Sequence, residues 1–167
     1  SLMFAAWRYD EADNENPDFI LNKEPFRRAK FLLTGKNFGC GSSRETAAEM
    51  FLHFGIRCIV AESFGEIFYG NCIKNGVVPV VLPHSTIARM ADVVARSEGA
   101  ARFELDLGTR TISFGATETV EFDIPELRRR QLMEGLDEIE MTLSWTNEIS
   151  AYQAERRNSR HWIFPQG

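Results

Sequence analysis

Residues Gly35-Lys36-Asn37-Phe38-Gly39-Cys40-Gly41-Ser42-Ser43-Arg44-Glu45 deliver two serines, an arginine and a glutamate from a glycine-rich turn. Each serine hydroxyl can donate and accept a hydrogen bond, and Arg44 can grip a carboxylate with two parallel N–H groups. A helix-like run, residues 47–54, follows at once. Unpaired backbone N–H groups and the positive end of a helix dipole gather at such a start, which favours an anionic ligand. A small dicarboxylate or a phosphate is the ligand class that these residue types suit.

Three common motifs are excluded by residue type. A Walker A loop needs Lys and then Ser or Thr after its last glycine, whereas Gly41 leads into Ser42-Ser43. The dinucleotide fingerprint needs glycine where Arg44 stands, and a nucleophile elbow needs glycine two residues after its serine. The plain alternative is that Ser42-Ser43-Arg44-Glu45 forms a capping box, with Ser42 at the N-cap and Glu45 reaching back. Paired glycines, doubled serines and an adjacent cation go beyond what a cap requires.

The elements that must hold this loop alternate between β and α. A strand is expected over residues 30–34, then a helix over 43–54 closed by Gly55, and a buried strand over 57–61. Ser63-Phe64-Gly65-Glu66 reads as a second capping box, opening a helix that stops near Gly76. An apolar strand over 77–82 contains Pro79, which suggests an edge position or a bulge. A helix over 87–96 ends at Gly99. The pattern then changes to a hairpin, 103–107 and 111–114 around Gly108-Thr109, a further alternating stretch at 120–124, and helices from Pro125 to about 157 interrupted near Gly135. Residues 7–28 form a polar, exposed, mobile loop on this reading. An α/β fold with a parallel sheet plus an antiparallel β element follows.

The chain has 167 residues, 44% hydrophobic and 26% charged, which fits one domain with a substantial core. A net charge of −5 argues against nucleic-acid binding through a basic face. Arg128-Arg129-Arg130 and Arg156-Arg157 read as solvated helix charges. Cys40, Cys58 and Cys72 contain no C-x-x-C pair, so this chain is expected to hold neither zinc nor an iron–sulfur cluster by itself. His53, His84 and His161 lack ligand spacing, and Cys40, inside the glycine loop, reads as a small buried thiol rather than a group at the ligand. A reducing cytoplasm is the expected compartment, with no membrane span or signal peptide in the sequence. Ser1-Leu2 before Met3 reads as an expression scar.

Asn37 to Glu45 closely resembles the signature of the small-subunit family of 3-isopropylmalate dehydratases. The resemblance continues through residues 61–76, Pro79, residues 132–143, Trp7-Arg8-Tyr9-Asp10 and Trp162-Ile163-Phe164-Pro165. It implies a swivelling β/β/α domain of the aconitase type, with a mixed, mostly parallel sheet. It further implies a hydro-lyase of leucine biosynthesis that interconverts 2-isopropylmalate and 3-isopropylmalate. By resemblance Ser42 is the general base, Ser43 and Arg44 bind substrate carboxylates, and a [4Fe–4S] cluster sits on a partner large subunit. A serine base needs a cation and backbone donors around it, because its hydroxyl is a very weak acid. The family usually has His where this chain has Thr46, and an additional N-terminal segment that the 167 residues do not include. Two other readings stay open: a dehydratase for another alkylmalate, such as dimethylmalate or homocitrate, and a non-catalytic carboxylate-binding module.

Overall fold

A computed structural model describes residues 4–41, 44–160 and 162. Strands β1 (Phe31–Leu33), β2 (Cys58–Ala61) and β3 (Val78–Val81) form a parallel sheet in the order β1-β2-β3. Strands β4 (Phe103–Asp106), β5 (Thr111–Phe114) and β6 (Glu118–Glu121) form a separate antiparallel meander. The α/β class expected from the pattern is what folds, with parallel and antiparallel strands parted into two sheets.

Every residue of β2 is buried. Successive side chains of a strand point to opposite faces, so one strand serves two cores. Cys58 and Val60 join Val80, Leu82, Ile87, Met90, Ile112 and Phe114, a cluster shared with the antiparallel sheet. Ile59 joins Ala48, Phe51, Ile56, Phe68 and Cys72 on the other side. Burial on both faces is what a parallel strand requires, and it explains the unbroken apolar run Cys58-Ile59-Val60-Ala61. Pro79 lies on β3, at the edge of the pairing order, where a missing N–H costs no ladder bond.

Helices α2 (Thr46–Phe54) and α3 (Glu66–Lys74) share the Phe51–Phe68 core. Both end in the same way. Gly55 has φ +112°, with its N–H on Leu52 O at 3.0 Å and Ile56 N–H on Phe51 O at 3.0 Å. Gly76 has φ +70°, with its N–H on Ile73 O and Val77 N–H on Cys72 O at 2.9 Å. These are Schellman closures, in which glycine takes the left-handed position and the next residue packs back on the helix. Helix α4 (His84–Arg96) begins earlier than its apolar spacing predicts, because Pro83 O accepts from Thr86 and Ile87.

A short helix α1 (Ala5–Arg8) and two 3-10 turns, Ile20–Asn22 and Phe26–Arg28, occupy the N-terminal segment. The acidic stretch is exposed as expected, but the segment has an ordered inner face. Arg8 and Asn22 are buried and bonded, Arg8 Nε to Asn22 Oδ1 at 2.9 Å and Asn22 Nδ2 to Arg8 O at 2.8 Å. Arg27 grips Glu15 with both guanidinium N–H groups and holds that carboxyl below its ordinary range. The C-terminal part is α5 (Glu126–Glu134), α6 (Glu138–Leu143) and α7 (Thr146–Ser159). Gly135 ends α5 at φ +66°, and Asp137 with Glu140 makes a complete capping box on α6. Among the described residues no helix is long and apolar enough to cross a membrane.

Phe68 is 1% exposed and meets the rings of Phe38, Phe51 and Phe64. Phe68→Ala is expected to cost about 3–5 kcal/mol, whereas Ala at Ile67, 58% exposed, should stay within about 0.5 kcal/mol. Urea unfolding of the two variants checks this; similar midpoints would contradict the packing described.

Candidate functional site

Three loops leave the carboxyl ends of the parallel strands side by side, the usual place for a ligand in such sheets. The loop after β1 carries the glycines and Arg44, the loop after β2 carries Glu62 to Gly65, and β3 leads to Pro83 and His84. Thr34 N–H still bonds Val60 O at 2.8 Å, so the first loop starts in register with β2. Beyond it the two loops continue to pair. Glu62 N–H reaches Gly35 O at 3.3 Å, Phe38 N–H donates to Ser63 O at 2.9 Å, and Gly65 N–H donates to Phe38 O at 2.9 Å.

Ser63 cross-links the same two loops through its side chain. Its Oγ accepts from Asn37 N–H at 2.8 Å and donates to Asn37 Oδ1 at 3.2 Å. This corrects the expected capping box: α3 starts at Glu66 with extended Gly65 at its N-cap, so Ser63 lies too far upstream to cap it. The alternative box begins at Ser42, which lies outside the described residues, and its far member is placed otherwise. Helix α2 starts at Thr46 with Glu45 as its N-cap, so Glu45 cannot sit at the third helical position; its Oε1 lies 3.4 Å from Asn75 Nδ2 instead.

Backbone contact is closest at Gly39 and Gly65. A Cβ on Gly39, whose φ is +76°, would lie 2.2 Å from the Phe68 ring. A Cβ on Gly65 would lie 2.7 Å from Cys40 Cα. The glycine loop therefore rests directly on the start of α3, and Phe38 is inserted between Phe51, Phe64 and Phe68.

Ser42 and Ser43 lie outside the described residues. Arg44 is exposed and precedes Glu45, the N-cap of α2, with its carbonyl accepting from Ala47 N–H. The helix dipole thus points at the loop, as an anion site needs. Cys40, expected as a small buried thiol, is instead exposed on the loop, while Cys58 and Cys72 are buried in different core clusters. Burial pushes the Cys72 thiol up to about 12 and the Cys58 thiol up as well. Among the described residues no group of three or more His, Cys, Asp or Glu is placed to hold a metal ion. His84, read as a helix-start residue, also holds Glu62 Oε1 at 3.1 Å. Glu62, Ser63 and His84 gain their site contacts across the strand-end loops, and local spacing gave no signal for that.

The largest concavity described, about 670 Å³, lies against the antiparallel sheet and includes Arg110 and Arg129, both bonded to Glu126. The ligand chemistry points instead to the glycine loop, whose end at Glu45 borders a cleft of about 300 Å³ with Lys74, Gln131 and Ile139.

The family model for the aconitase C-terminal domain matches residues 2–85. The small subunit of 3-isopropylmalate dehydratase from Dinoroseobacter shibae is 44% identical over 161 residues, 96% of this chain and 80% of that one. Its counterpart from Gluconobacter oxydans is 46% identical over 160 residues, 96% of this chain and 76% of that one. The chain belongs to the 3-isopropylmalate dehydratase small-subunit family. Within this family a solved structure, 3-isopropylmalate dehydratase (leuD) from Methanocaldococcus jannaschii, aligns at 26% identity with a TM-score of 0.50, over 75% of this chain and 68% of that one. Membership accounts for both the aconitase-type α/β fold and the loop signature.

Two measurements test the site geometry. Gly65→Ala should unseat the loop and destabilise the chain, because its Cβ meets backbone that cannot yield. Gly70→Ala, which meets nothing within 4 Å, should be neutral or stabilising by about 0.5–1 kcal/mol in the helix interior. Equal melting temperatures for the two would contradict the close approach. Iodoacetamide in mildly alkaline buffer should label Cys40 in the folded chain and leave Cys58 and Cys72 unlabelled until denaturant is added; peptide mass mapping reads the result.

Proposed function

We propose that the chain is the small subunit of a heteromeric hydro-lyase that interconverts 2-isopropylmalate and 3-isopropylmalate in leucine biosynthesis, active only with its large subunit. The observation that carries this reading is the glycine loop seated at the strand ends with Arg44 leading into α2, in a chain whose relatives bear that name. Arg44 binds a substrate carboxylate, and Ser43 adds a hydrogen bond to the same anion. Ser42 takes the proton from the substrate carbon, with its oxyanion favoured by the adjacent guanidinium and the helix N-terminus.

An iron–sulfur cluster held by the large subunit supplies a Lewis acid for the departing hydroxyl. This chain's part is to orient the dicarboxylate and to remove and return the proton. The need for a partner agrees with the surface of the C-terminal helices. Ile139, Leu143, Trp145, Ile149 and Tyr152 are between 38% and 70% exposed, an apolar set that a subunit contact would cover. The partner, the cluster and a cytoplasmic location belong to this proposal.

Thr46 favours keeping a second substrate in view. It is the first residue of α2 and is exposed beside Arg44, where the family usually has His. A hydroxyl in place of an imidazole alters the donors next to the anion, as a related alkylmalate substrate would require.

Mixing the chain with cluster-loaded large subunit should produce hydro-lyase activity on 3-isopropylmalate above that of the large subunit alone. Ser42→Ala should lower kcat by about 10²–10⁴-fold, the usual reach of general acid–base catalysis. Arg44→Lys should raise KM by about tenfold or more through loss of the two-pronged contact. Dicarboxylate binding with no gain of activity would identify a binding module instead, and preference for another alkylmalate in the same assay would reassign the substrate.

A further inference from the structure

A carboxylate beside a dicarboxylate site would repel its ligand unless something neutralised it. Glu62 stands on the loop that pairs with the glycine loop, and its side chain is only 16% exposed. Its two oxygens face two different loops. Oε2 lies 3.9 Å from Lys36 Nζ on the glycine loop, and Oε1 lies 3.1 Å from His84 Nδ1 at the start of α4. Lys36 and His84 are 74% and 78% exposed, so the carboxylate is the fixed member and the two bases close on it from solvent.

We propose that Glu62 is a positioning residue, which locks the glycine loop, over Lys36 to Cys40, to the ends of β2 and β3. Its own backbone N–H already holds Gly35 O, and Phe38 N–H holds the carbonyl of Ser63. The carboxylate adds side-chain cross-links where ladder pairing has stopped. From Lys36 to Cys40 the loop has little slack: Cys40 N–H bonds Asn37 O at 3.1 Å, and Gly39 lies against Phe68. A displacement at Lys36 therefore carries along the loop to Cys40. Exposed ion pairs contribute little to stability, but a misplacement of about 1 Å near reacting atoms can cost about 10²-fold in rate. The proposal thus predicts a functional effect with almost no stability effect. Its catalytic consequence rests on the dehydratase reading; its structural content does not.

Cys40 reports on the loop without reference to activity. In the isolated chain, Glu62→Gln should raise the rate of Cys40 alkylation by iodoacetamide about threefold, the size an exposed ion pair can supply, with an unchanged melting temperature. Lys36→Met and His84→Gln should each do part of this, and Lys36→Arg should keep the wild-type rate. Lys36→Met combined with Glu62→Gln should be no faster than Glu62→Gln alone, since both break one bridge. In the mixture with large subunit, kcat should fall in the same order and recover with Lys36→Arg. A Glu62→Gln chain with wild-type Cys40 reactivity overturns the proposal, and so does a double variant whose two effects multiply. Should the wild-type mixture show no hydro-lyase activity, the dehydratase reading fails and the alkylation series alone decides the role of Glu62.

Discussion

The approach of two backbones, Gly39-Cys40 against Gly65, is the constraint on which the site depends. Neither position can carry a Cβ without a collision inside 3 Å, so the loop after β1 and the start of α3 meet at a distance that only glycine permits. Phe38 fills the space beside this contact and ties the loop into the aromatic cluster of α2 and α3. A flexible Gly-rich turn would be a poor place to hold a base and an arginine. Backbone contact below and an aromatic anchor beside it convert the turn into a fixed shelf.

That shelf is only as firm as the strand beneath it. β2 is buried on both faces and bonded on both edges, to β1 and to β3. The loops after all three strands inherit its position. Parallel strands all end on the same side, so residues distant in sequence, Lys36, Glu62 and His84, come together there. The antiparallel sheet enters this arrangement through the core: Ile112 and Phe114 pack in one cluster with Val60 and Val80.

What could be read in the sequence was what local physics determines. Gly55, Gly76 and Gly135 end helices because a left-handed residue is needed there, and the strands showed through their apolar runs and alternation. Capping was less legible. S-x-x-E occurs at both Ser42 and Ser63, yet α2 and α3 start later than those boxes require, and the complete box lies at Asp137. A hydroxyl can serve a cap or a distant loop, and only tertiary structure decides; for Ser63 it is Asn37. The buried pair Arg8 and Asn22 was hidden for the same reason, since its bonds span the N-terminal segment and local composition there is polar. At the site, residue type suggests an anion partner for Arg44, but the contacts of Glu62 across the loops left no local signal.

A dehydratase half-site has to satisfy opposing demands, and the distribution of rigidity here meets both. The proton-transfer residues need a fixed geometry, because rate falls steeply with misplacement. On the proposed reading, the same residues must stay open to solvent until the second subunit docks. Arg44 and Cys40 are exposed while the glycines and Phe38 beside them are held from below. Rigidity therefore comes from the inner side of the loop, through Phe68 and Gly65, and laterally through Ser63 and Glu62. Among the described residues its outer side carries the exposed Lys36, Cys40 and Arg44. A chain that completed its own site could have buried this loop in a cleft; one that shares the site has to hold it firm at the surface, and the two glycine contacts are how this fold does so.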